Sequence, residues 1–499
     1  MPAVFSRDLE KNIAMMEKRL HTDINNDVVL RRFEAVGLRC ALYYVEGMSS
    51  GENMGRHILW PMKMSRIVLN GKNAAEELAQ KVLTAPEVKT ESNPDKAVKE
   101  LLFGQTMILL EGCTEAVMVD LRSYSRRSVS TPQTETVVIG PHDAFNETLR
   151  DNLTLLHRRM VTPDFVTTIV NVGDTAATQL ALCYVDGICP RETVAEIKRR
   201  LNAINIDQVL TAGILEQLLE DDPYAPLPQM AATERPDRIV SFLMDGQAVL
   251  LLDGSPRALA LPVGIWHLYH SPDDSYMRWQ YGTVTRWLRL AGAFVALYLP
   301  AVFVSLVVYH PMTIPMTLLT SIVQSRTTIP LSILGEAVLM LLIFGLINES
   351  AQRTPSLMGS SLGLVSTLLL GSAAVEAGLV SPLLIIVVAL TGLGSYALPD
   401  YSLSFAFRIG QMLLLVAAGL MGWSGLCWMS LLLLCWVASM TSLGYPYLAP
   451  TSPRRTHNPD IVSRKPVFRQ RLRTYVSNPA RMRRSRGKMR WTKKGAREE

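Results

Sequence analysis

The chain of 499 residues is poor in cysteine, with six scattered at Cys40, Cys113, Cys183, Cys189, Cys427 and Cys435. None forms a Cys-x-x-Cys pair or stands near a histidine at zinc spacing, which argues against a disulfide scaffold and a zinc finger. The opening MPAVFSRDLEKNIAMMEKRL is charged through its first turns and lacks the apolar core of a secretory signal. The front of the chain is therefore expected to stay in the cytosol. No Walker-type phosphate loop is found, and no serine is identified as a nucleophile on a strained turn. No catalytic, cofactor-binding or metal-binding residue is assigned, and an enzyme is not expected. His267 and His270 lack a carboxylate or cysteine to complete a ligand set, and read as a polar surface pair.

What the chain does have is apolar length: 48% of residues are hydrophobic and only 19% charged, with a mean hydropathy of +0.18. Leu290 to Tyr309 runs 20 residues without a charge, enough to cross about 30 Å of hydrocarbon as a helix. Pro300 inside it is tolerable, because neighbouring helices can satisfy the freed carbonyl. Further apolar stretches follow at Leu331 to Ile347, Leu357 to Val375, Leu379 to Leu398, Ser404 to Gly422 and Gly425 to Leu443. About six segments result, of which one or two read equally well as re-entrant hairpins. The net charge of +6 hides an asymmetry. Beyond residue 450 there are 16 Lys and Arg against 3 Asp and Glu, leaving 34 against 41 for the rest. Arg278, Arg286 and Arg289 precede the first span and the basic tail follows the last, so the positive-inside rule puts both ends in the cytosol. Arg326 is then the one misplaced cation.

The front half carries an internal repeat. Ala-Leu-Tyr-Tyr-Val-Glu-Gly at 41–47 returns as Ala-Leu-Cys-Tyr-Val-Asp-Gly at 181–187. A second pair matches ILLEG at 108–112 with FLMDG at 242–246, each read as a strand ending at a turn and entering a hairpin. Pro190 to Leu201 has the Pro-first, Glu-early, Arg-late order of a helix. Two related α/β subdomains followed by a polytopic helical membrane domain are expected. The boundaries are a helical lead at 1–24, subdomain 1 with a linking helix at 25–165, subdomain 2 at 166–285, the membrane domain at 286–447 and a basic tail at 448–499. Between the repeats, helical spacing from His142 onward puts Phe145, Leu149, Leu153 and Leu156 on one side. That pattern fits a solvated amphipathic helix and equally a coupling helix.

This stretch carries an ordered set of residues: Arg127 with Pro132, then Gly140, Pro141, Phe145 and Glu147, then Asn152, Arg158 and Arg159. Arg235, Pro236 and Asp237 follow, and later Glu336, Glu349, Arg353 and Pro355. In this order and spacing the chain resembles the A subunits of the GerA family of spore germination receptors, from about residue 25 to residue 450. The resemblance implies a multi-pass subunit in the inner membrane of a dormant spore, with both termini on the spore-core side. It implies work beside a transporter-like B subunit that binds the nutrient and a C lipoprotein, and assembly into a homo-oligomeric ring, a pentamer, that forms a ligand-gated ion channel. A near relative, stage V sporulation protein AF, shares the architecture, and a non-conducting scaffold is a further alternative.

Within the membrane half, Glu336, Glu349 and Glu376 are candidate intramembrane carboxylates, since a charge there must face water or a partner. Glu349 is also placed to pair with Arg353, four residues on. Ser360 and Ser366 belong to a small-residue face suited to close helix packing or to a pore lining. In the tail, Arg481, Arg483, Arg484, Arg486, Lys488, Arg490, Lys493 and Lys494 are expected to contact anionic lipid. Nucleic acid is the less favoured target, because the tail follows directly on a membrane segment.

Overall fold

The structure, a computed structural model, describes residues 4–69, 73–123, 132, 135, 137, 139–327, 329–353, 373–454, 460–473 and 478–484, with side chains left aside at 351–353. The first copy of the repeat contains α1 (Leu9–Leu20), β1 (Val28–Ala35), β2 (Leu38–Val45) and α2 (Gly51–Met54), which passes through a π-helical turn (Gly55–Leu59) into α3 (Trp60–Met64). It continues with α4 (Ala74–Lys81), β3 (Val88–Glu91), α5 (Pro94–Leu102), β4 (Thr106–Leu110) and β5 (Ala116–Val119). The second copy contains α6 (Leu149–Arg159), β6 (Phe165–Val172), β7 (Thr178–Val185), α7 (Arg191–Ala203), α8 (Ala212–Leu219), β8 (Ala231–Thr233), α9 (Pro236–Asp245), β9 (Ala248–Leu252) and β10 (Ala258–Leu261). The sheets have one topology, β1-β2-β4-β5-β3 and β6-β7-β9-β10-β8. Cys40 faces Leu110 in the first sheet, as Leu180 faces Leu252 in the second.

The repeat begins earlier than the strand motifs suggest. Phe5, Leu9, Ile13, Met16 and Leu20 fill one core of the first copy, and Phe145, Leu149, Leu153, Leu156 and Met160 fill the matching core of the second. All five pairs lie 140 residues apart. A side-chain lock repeats at the same interval. Asn12 accepts from Ser6 N (2.7 Å) and donates to Ser6 O (2.6 Å), while Asn152 accepts from Asn146 N (2.8 Å) and donates to Asn146 O (2.7 Å). The helix read as a linker is thus the counterpart of α1, the first helix of the second copy. It starts at Leu149, not at His142: residues 141–146 are in no regular element, and Asn146 at their end is held by this asparagine. One sequence pairing also needs correction. FLMDG ends a helix, α9, with Gly246 as its cap, so the true counterpart of ILLEG is the following LLLDG at 250–254, at the end of β9.

Each sheet is buried on both faces, as alternation along β7 shows. Ala181, Cys183 and Val185 enter one core, and Leu180, Leu182 and Tyr184 the other. One face of the second sheet does not stop at its own helices. Its core includes Ala293, Leu398, Leu403, Ala406, Met440 and Tyr447, all from the apolar half.

That half is entered through two short helices, α10 (Ile265–Tyr269) and α11 (Asp273–Tyr276). It comprises α12 (Trp279–Tyr309), α13 (Met316–Ser325), α14 (Ile333–Arg353), α15 (Pro382–Tyr396) and α16 (Tyr401–Ser439). Three described helices are long and apolar enough to cross a membrane, α12, α14 and α16, and α15 is a shorter apolar helix. At 39 residues a straight α16 would measure about 58 Å, twice the hydrocarbon thickness. The chain breaks it at Gly422, whose φ of 61° and ψ of −138° suit a residue without Cβ. Leu414 and Ala418 then share a cluster with Leu426, against which Met429 and Leu433 pack, and a Cβ on Gly425 would fall 2.1 Å from Ala417 O. The element is therefore an antiparallel hairpin, in agreement with the two apolar segments read on either side of residue 423. Its return limb leads to the small β11 (Thr441–Ser442) and β12 (Tyr445–Pro446) pair, pinned to the second copy by Ser442 Oγ on Gln229 O (2.7 Å) and Tyr447 Oη on Pro228 O (2.8 Å). The segment from Leu357 to Val375 falls mainly on residues outside the description.

Candidate functional site at the membrane junction

The residues that recur in order along the sequence converge at the start of α9. Pro236 occupies the first turn of that helix, where a missing N–H costs nothing. Arg235 ahead of it is fully buried. Its guanidinium donates to Glu135 O (3.2 Å), Pro141 O (2.9 Å) and Asp237 Oδ2 (3.0 Å). Arg238, one turn on, reaches Glu135 Oε1 (2.6 Å) and His267 O (3.1 Å), and Thr233 closes on the same carboxylate at 2.6 Å. Gly140 lies flat against the Tyr276 ring, where a Cβ would come within 2.9 Å, and the Tyr276 hydroxyl donates to Asp237. Phe145 N donates to Glu234 O (2.8 Å). The junction thus gathers Gly140, Pro141, Phe145, Arg235, Pro236 and Asp237. Pro132 is buried too, and Arg159 pairs with Asp143 at 2.5 Å. Glu147 and Arg158 are exposed, and Arg127 lies outside the described residues.

From here a second network reaches the first membrane helix. Asp274 on α11 is buried between Arg286 (2.9 Å) and Arg289 (3.1 Å) of α12. Burial pushes its carboxyl up, but the two guanidinium groups win and hold it below the ordinary range. Arg286 also grips Asp460 (2.8 Å) and Ile461 O (3.2 Å) of the tail, and Asp460 is raised by burial against that same pull. Sequence reading used Arg286 and Arg289 only as orientation charges. Their spacing on one helix face was the available signal; the partners Asp274 and Asp460 gave none.

His267 and His270 are not a surface pair. Burial drives the first down to about 4 and the second, which also faces Arg286, down to about 3. His270 Nε2 meets Ile461 O at 2.6 Å, whereas neither nitrogen of His267 has a hydrogen-bond partner among the described residues. His267 lines a cavity of about 220 Å³ together with Asp237, Arg238, Tyr276, Arg286 and Asp460. No group of three or more His, Cys, Asp or Glu suited to a metal occurs among the described residues. Two strings do carry the Gly-x-Ser-x-Gly spacing that sequence reading passed over. In Gly47–Gly51, Ser49 Oγ donates to Gly104 O at 2.9 Å and packs in a strand bridge with Arg122, not on a nucleophile elbow; Gly359–Gly363 is outside the described residues.

The model of the Bacillus/Clostridium GerA spore germination protein family matches residues 14–476. The chain belongs to the GerA family. Among relatives of this GerA protein, spore germination protein KA of Bacillus subtilis (strain 168) is 31% identical over 91% of this chain and 83% of its own length. Spore germination protein GerLA of Bacillus cereus is 32% identical over 89% of this chain and 91% of its own. Stage V sporulation protein AF of Bacillus subtilis (strain 168) is 28% identical over 90% of each chain. Among solved structures, the N-terminal domain of the A subunit of the Bacillus megaterium spore germinant receptor GerK3 covers 52% of this chain and 96% of its own, at 26% identity and a TM-score of 0.41. The GerA chain is a membrane protein with an α/β front half.

Inside the apolar half of this GerA chain, Glu336 is fully buried and committed within the subunit. It pairs with Arg326 at 2.9 Å and accepts from Ser381 N at 3.2 Å. Arg326, misplaced by the charge rule, is thereby matched. Glu349 and Glu376 are exposed. At the other end of the bundle Asn348 lies 2.9 Å from Tyr396 Oη and, with its amide oxygen turned inward, 2.7 Å from the Arg408 guanidinium. Ser360, Ser366, Pro355 and the Arg353 side chain are outside the described residues. So are Arg486, Lys488, Arg490, Lys493 and Lys494. Of the remaining tail residues, Arg481 and Arg483 are exposed and Arg484 pairs with Asp245, while Ala480 N donates to Ile188 O (2.9 Å). This part of the tail lies on the second copy.

Proposed function

We infer that the chain is the A subunit of a nutrient germinant receptor, which converts nutrient binding by a B subunit into ion flow as germination begins. The observation that carries this reading is the continuous core between the second copy and the membrane helices, clamped by the Asp274–Arg286–Asp460 network. A force applied to the second copy reaches α12 and α16 through packed side chains and buried ion pairs. The setting proposed with it is the spore inner membrane, with a transporter-like B subunit, a C lipoprotein and a homo-oligomeric, pentameric ring; family membership supports this reading.

Six crossings with both termini on the spore-core side suit the arrangement. Ala293 and Leu403 sit at the end nearest the second copy, while Tyr309 Oη meets Leu420 O (2.7 Å) at the far end. α14 runs from Leu334, against Gly419, back to Asn348, beside Arg408, and α15 runs from Ser381, beside Glu336, to Tyr396. The described chain leaves α14 at the near end and enters α15 at the far end. α12, α14, α15 and the two limbs of α16 stand for five of the six proposed crossings, and the apolar stretch Leu357 to Val375 read from the sequence is proposed as the other. Among the carboxylates, Glu349 and Glu376 remain the candidates to face a lumen, with Ser360 and Ser366 as its small polar lining; Glu336 is a structural latch. The basic residues of the tail are proposed to contact anionic lipid.

Electrical recording from the full chain in planar bilayers, alone and with its B and C partners, tests the reading. Nutrient-dependent conductance in the complex is expected; absence of conductance in both preparations defeats the channel. Thiol labelling of residues introduced near the two termini tests the topology, and labelling from opposite sides defeats it.

A further inference from the structure

The same helical layer in the two copies wears opposite dress. In the first copy, α2, α3 and α4 cover one sheet face with Met54, Ile58, Met62, Ala74, Ala75 and Leu78. In the second, α7 and α8 do the same with Val194, Ile197, Leu201, Ala212, Leu215 and Leu219. Both layers meet their core's needs from their inner side. The outer side of the first layer nevertheless exposes Trp60 (67%), Met64 (65%), Ile67 and Val68 (63%). Trp60 and Met64 are one turn apart on the same helix, and Val68 closes over Gly37 at the β1–β2 turn. The outer side of the second layer exposes Leu210 (59%) just ahead of α8, then Ile214 and Leu218 one turn apart on it, followed by Tyr224. Contiguous apolar groups of this kind, outside the membrane helices, mark interaction sites. By contrast, the outer face of α7 between them carries Glu192, Glu196, Lys198 and Arg199 and is simply solvated.

The charges around the two patches are opposite. From residue 53 to 69 the sequence holds Arg56, Lys63 and Arg66 and no Asp or Glu. From residue 204 to 224 it holds Asp207, Glu216, Glu220, Asp221 and Asp222 and no Lys or Arg. Asp221 is matched internally by Arg200 at 2.6 Å, and burial pushes Glu216 and Glu220 toward the neutral form, so the negative charge left for the rim is that of Asp207, which is exposed, and Asp222, which is half-buried.

We propose that the Trp60–Met64–Val68 patch of one chain docks on the Leu210–Ile214–Leu218 patch of a second copy, the flanking Lys63 and Arg66 facing Asp207 and Asp222. Because the two surfaces differ, the contact is head-to-tail, the kind that closes into a ring when the rotation allows. Apolar centres with opposite charge at the rim supply affinity and register together. The proposal rests on the ring reading and assigns the soluble surface that builds it.

The test uses the full chain in lipid nanodiscs, sized by mass photometry, and in detergent with Cys427 and Cys435 replaced by Ala. Trp60→Ser with Met64→Ser is expected to leave thermal unfolding unchanged and to weaken self-association by at least about tenfold. Arg66→Glu is expected to weaken it less, and Asp207→Lys in the same chain to restore it. Chains carrying Met64→Cys, mixed with chains carrying Leu218→Cys, are expected to cross-link between chains. Oligomers of unchanged size and strength in the Trp60→Ser, Met64→Ser variant overturn the assigned surface while leaving the ring in place. A parent chain that stays monomeric removes the ring and the surface together. Trp60-dependent binding of a monomer to anionic vesicles, without self-association, overturns the proposal in favour of a lipid occupant.

Discussion

The two copies of the repeat share a topology, an asparagine lock and a spacing of core residues, yet they live in different mechanical settings. Both cores of the first copy are closed within the front half, built from residues between Phe5 and Val161. The second copy opens one of its cores to the membrane bundle and pairs Asp245 with Arg484 of the tail, whose Asp460 in turn holds Arg286 of α12. The two scaffolds are alike in topology, and it is the second whose core is shared with the apolar half. The other touches the second copy along a polar seam that includes His157 on Asp27 (2.8 Å), Thr154 Oγ1 on Gly47 O (3.3 Å), Asn25 Nδ2 on Phe165 O (3.2 Å), Asn26 N on Thr167 O (2.9 Å) and Arg150 on Glu46 (2.8 Å).

If the contrast is real, its largest consequence is at Arg286. Arg286→Ala leaves Asp460 buried without its ion-pair partner and Asp274 with Arg289 alone, and breaking a buried pair in this way costs about 3–5 kcal/mol. Thermal unfolding of the full chain in detergent should show the loss, and hydrogen exchange should localise it to α9–α12 while leaving the first copy protected. Equal deprotection of both copies would mean that the front half responds as one body, and the division of labour would fall.

Protonation separates the regions next. His267 and His270 have folded values near 4 and 3, below the unfolded value of about 6.5. Their stabilising contribution is therefore complete above the unfolded value and is lost as pH falls toward the folded ones, up to about 3 kcal/mol for His267. Glu216 and Glu220 behave in the opposite sense. Burial lifts them to about 8 and about 7, so their contribution is complete in acid and lost as pH rises through that range. Stability against pH should be highest between about pH 4.5 and 6.5, where the histidine gain and the glutamate loss offset each other, and should fall on either side, with an acid limb that shrinks in His267→Gln. An unchanged acid limb in that variant would place the sensitivity elsewhere.

How far the sequence reveals this depends on the kind of signal. Strand order and the duplication are legible because 41–47 and 181–187 keep the same alternation, and the membrane half because long uncharged runs have few other uses. The start of the repeat was obscured because Leu9-x-x-x-Ile13-x-x-Met16 and Leu149-x-x-x-Leu153-x-x-Leu156 share a pattern and hardly a letter. The FLMDG mismatch arose because an acid and a glycine end a helix as readily as a strand. The junction was half visible. Arg235, Pro236 and Asp237 stood out as an ordered motif, but Asp274 and Asp460, 186 residues apart, meet only through Arg286. Distance in sequence leaves no periodicity to read.

The asparagine locks allow the same chemical change to be made in both settings. Asn12→Ala and Asn152→Ala each remove two hydrogen bonds and strand a buried backbone N–H and C=O, a loss of about 1–3 kcal/mol. The costs should be similar, since both side chains are almost fully buried. Their reach should differ: Asn12→Ala should loosen only α1 and its sheet in hydrogen exchange, whereas Asn152→Ala should be felt at the junction through Phe145 and Arg235. Matching footprints would erase the distinction between a free copy and a tethered one.

The smallest effect is expected at the seam itself. Arg150 on α6 reaches Glu46 of the first copy at 2.8 Å, with both side chains about two-fifths exposed. Water and salt screen such a pair, so Arg150→Ala should cost only about 0.2–1 kcal/mol, and less at high ionic strength. The buried His157–Asp27 contact beside it is shielded and should hold the copies in register regardless. A loss well above 1 kcal/mol that persists in concentrated salt would show that Arg150 also supports Asp27, 3.9 Å away, and that the seam is a rigid joint. In that case the first copy could not be displaced on its own, and motion would have to enter the membrane half by rotation of both copies together.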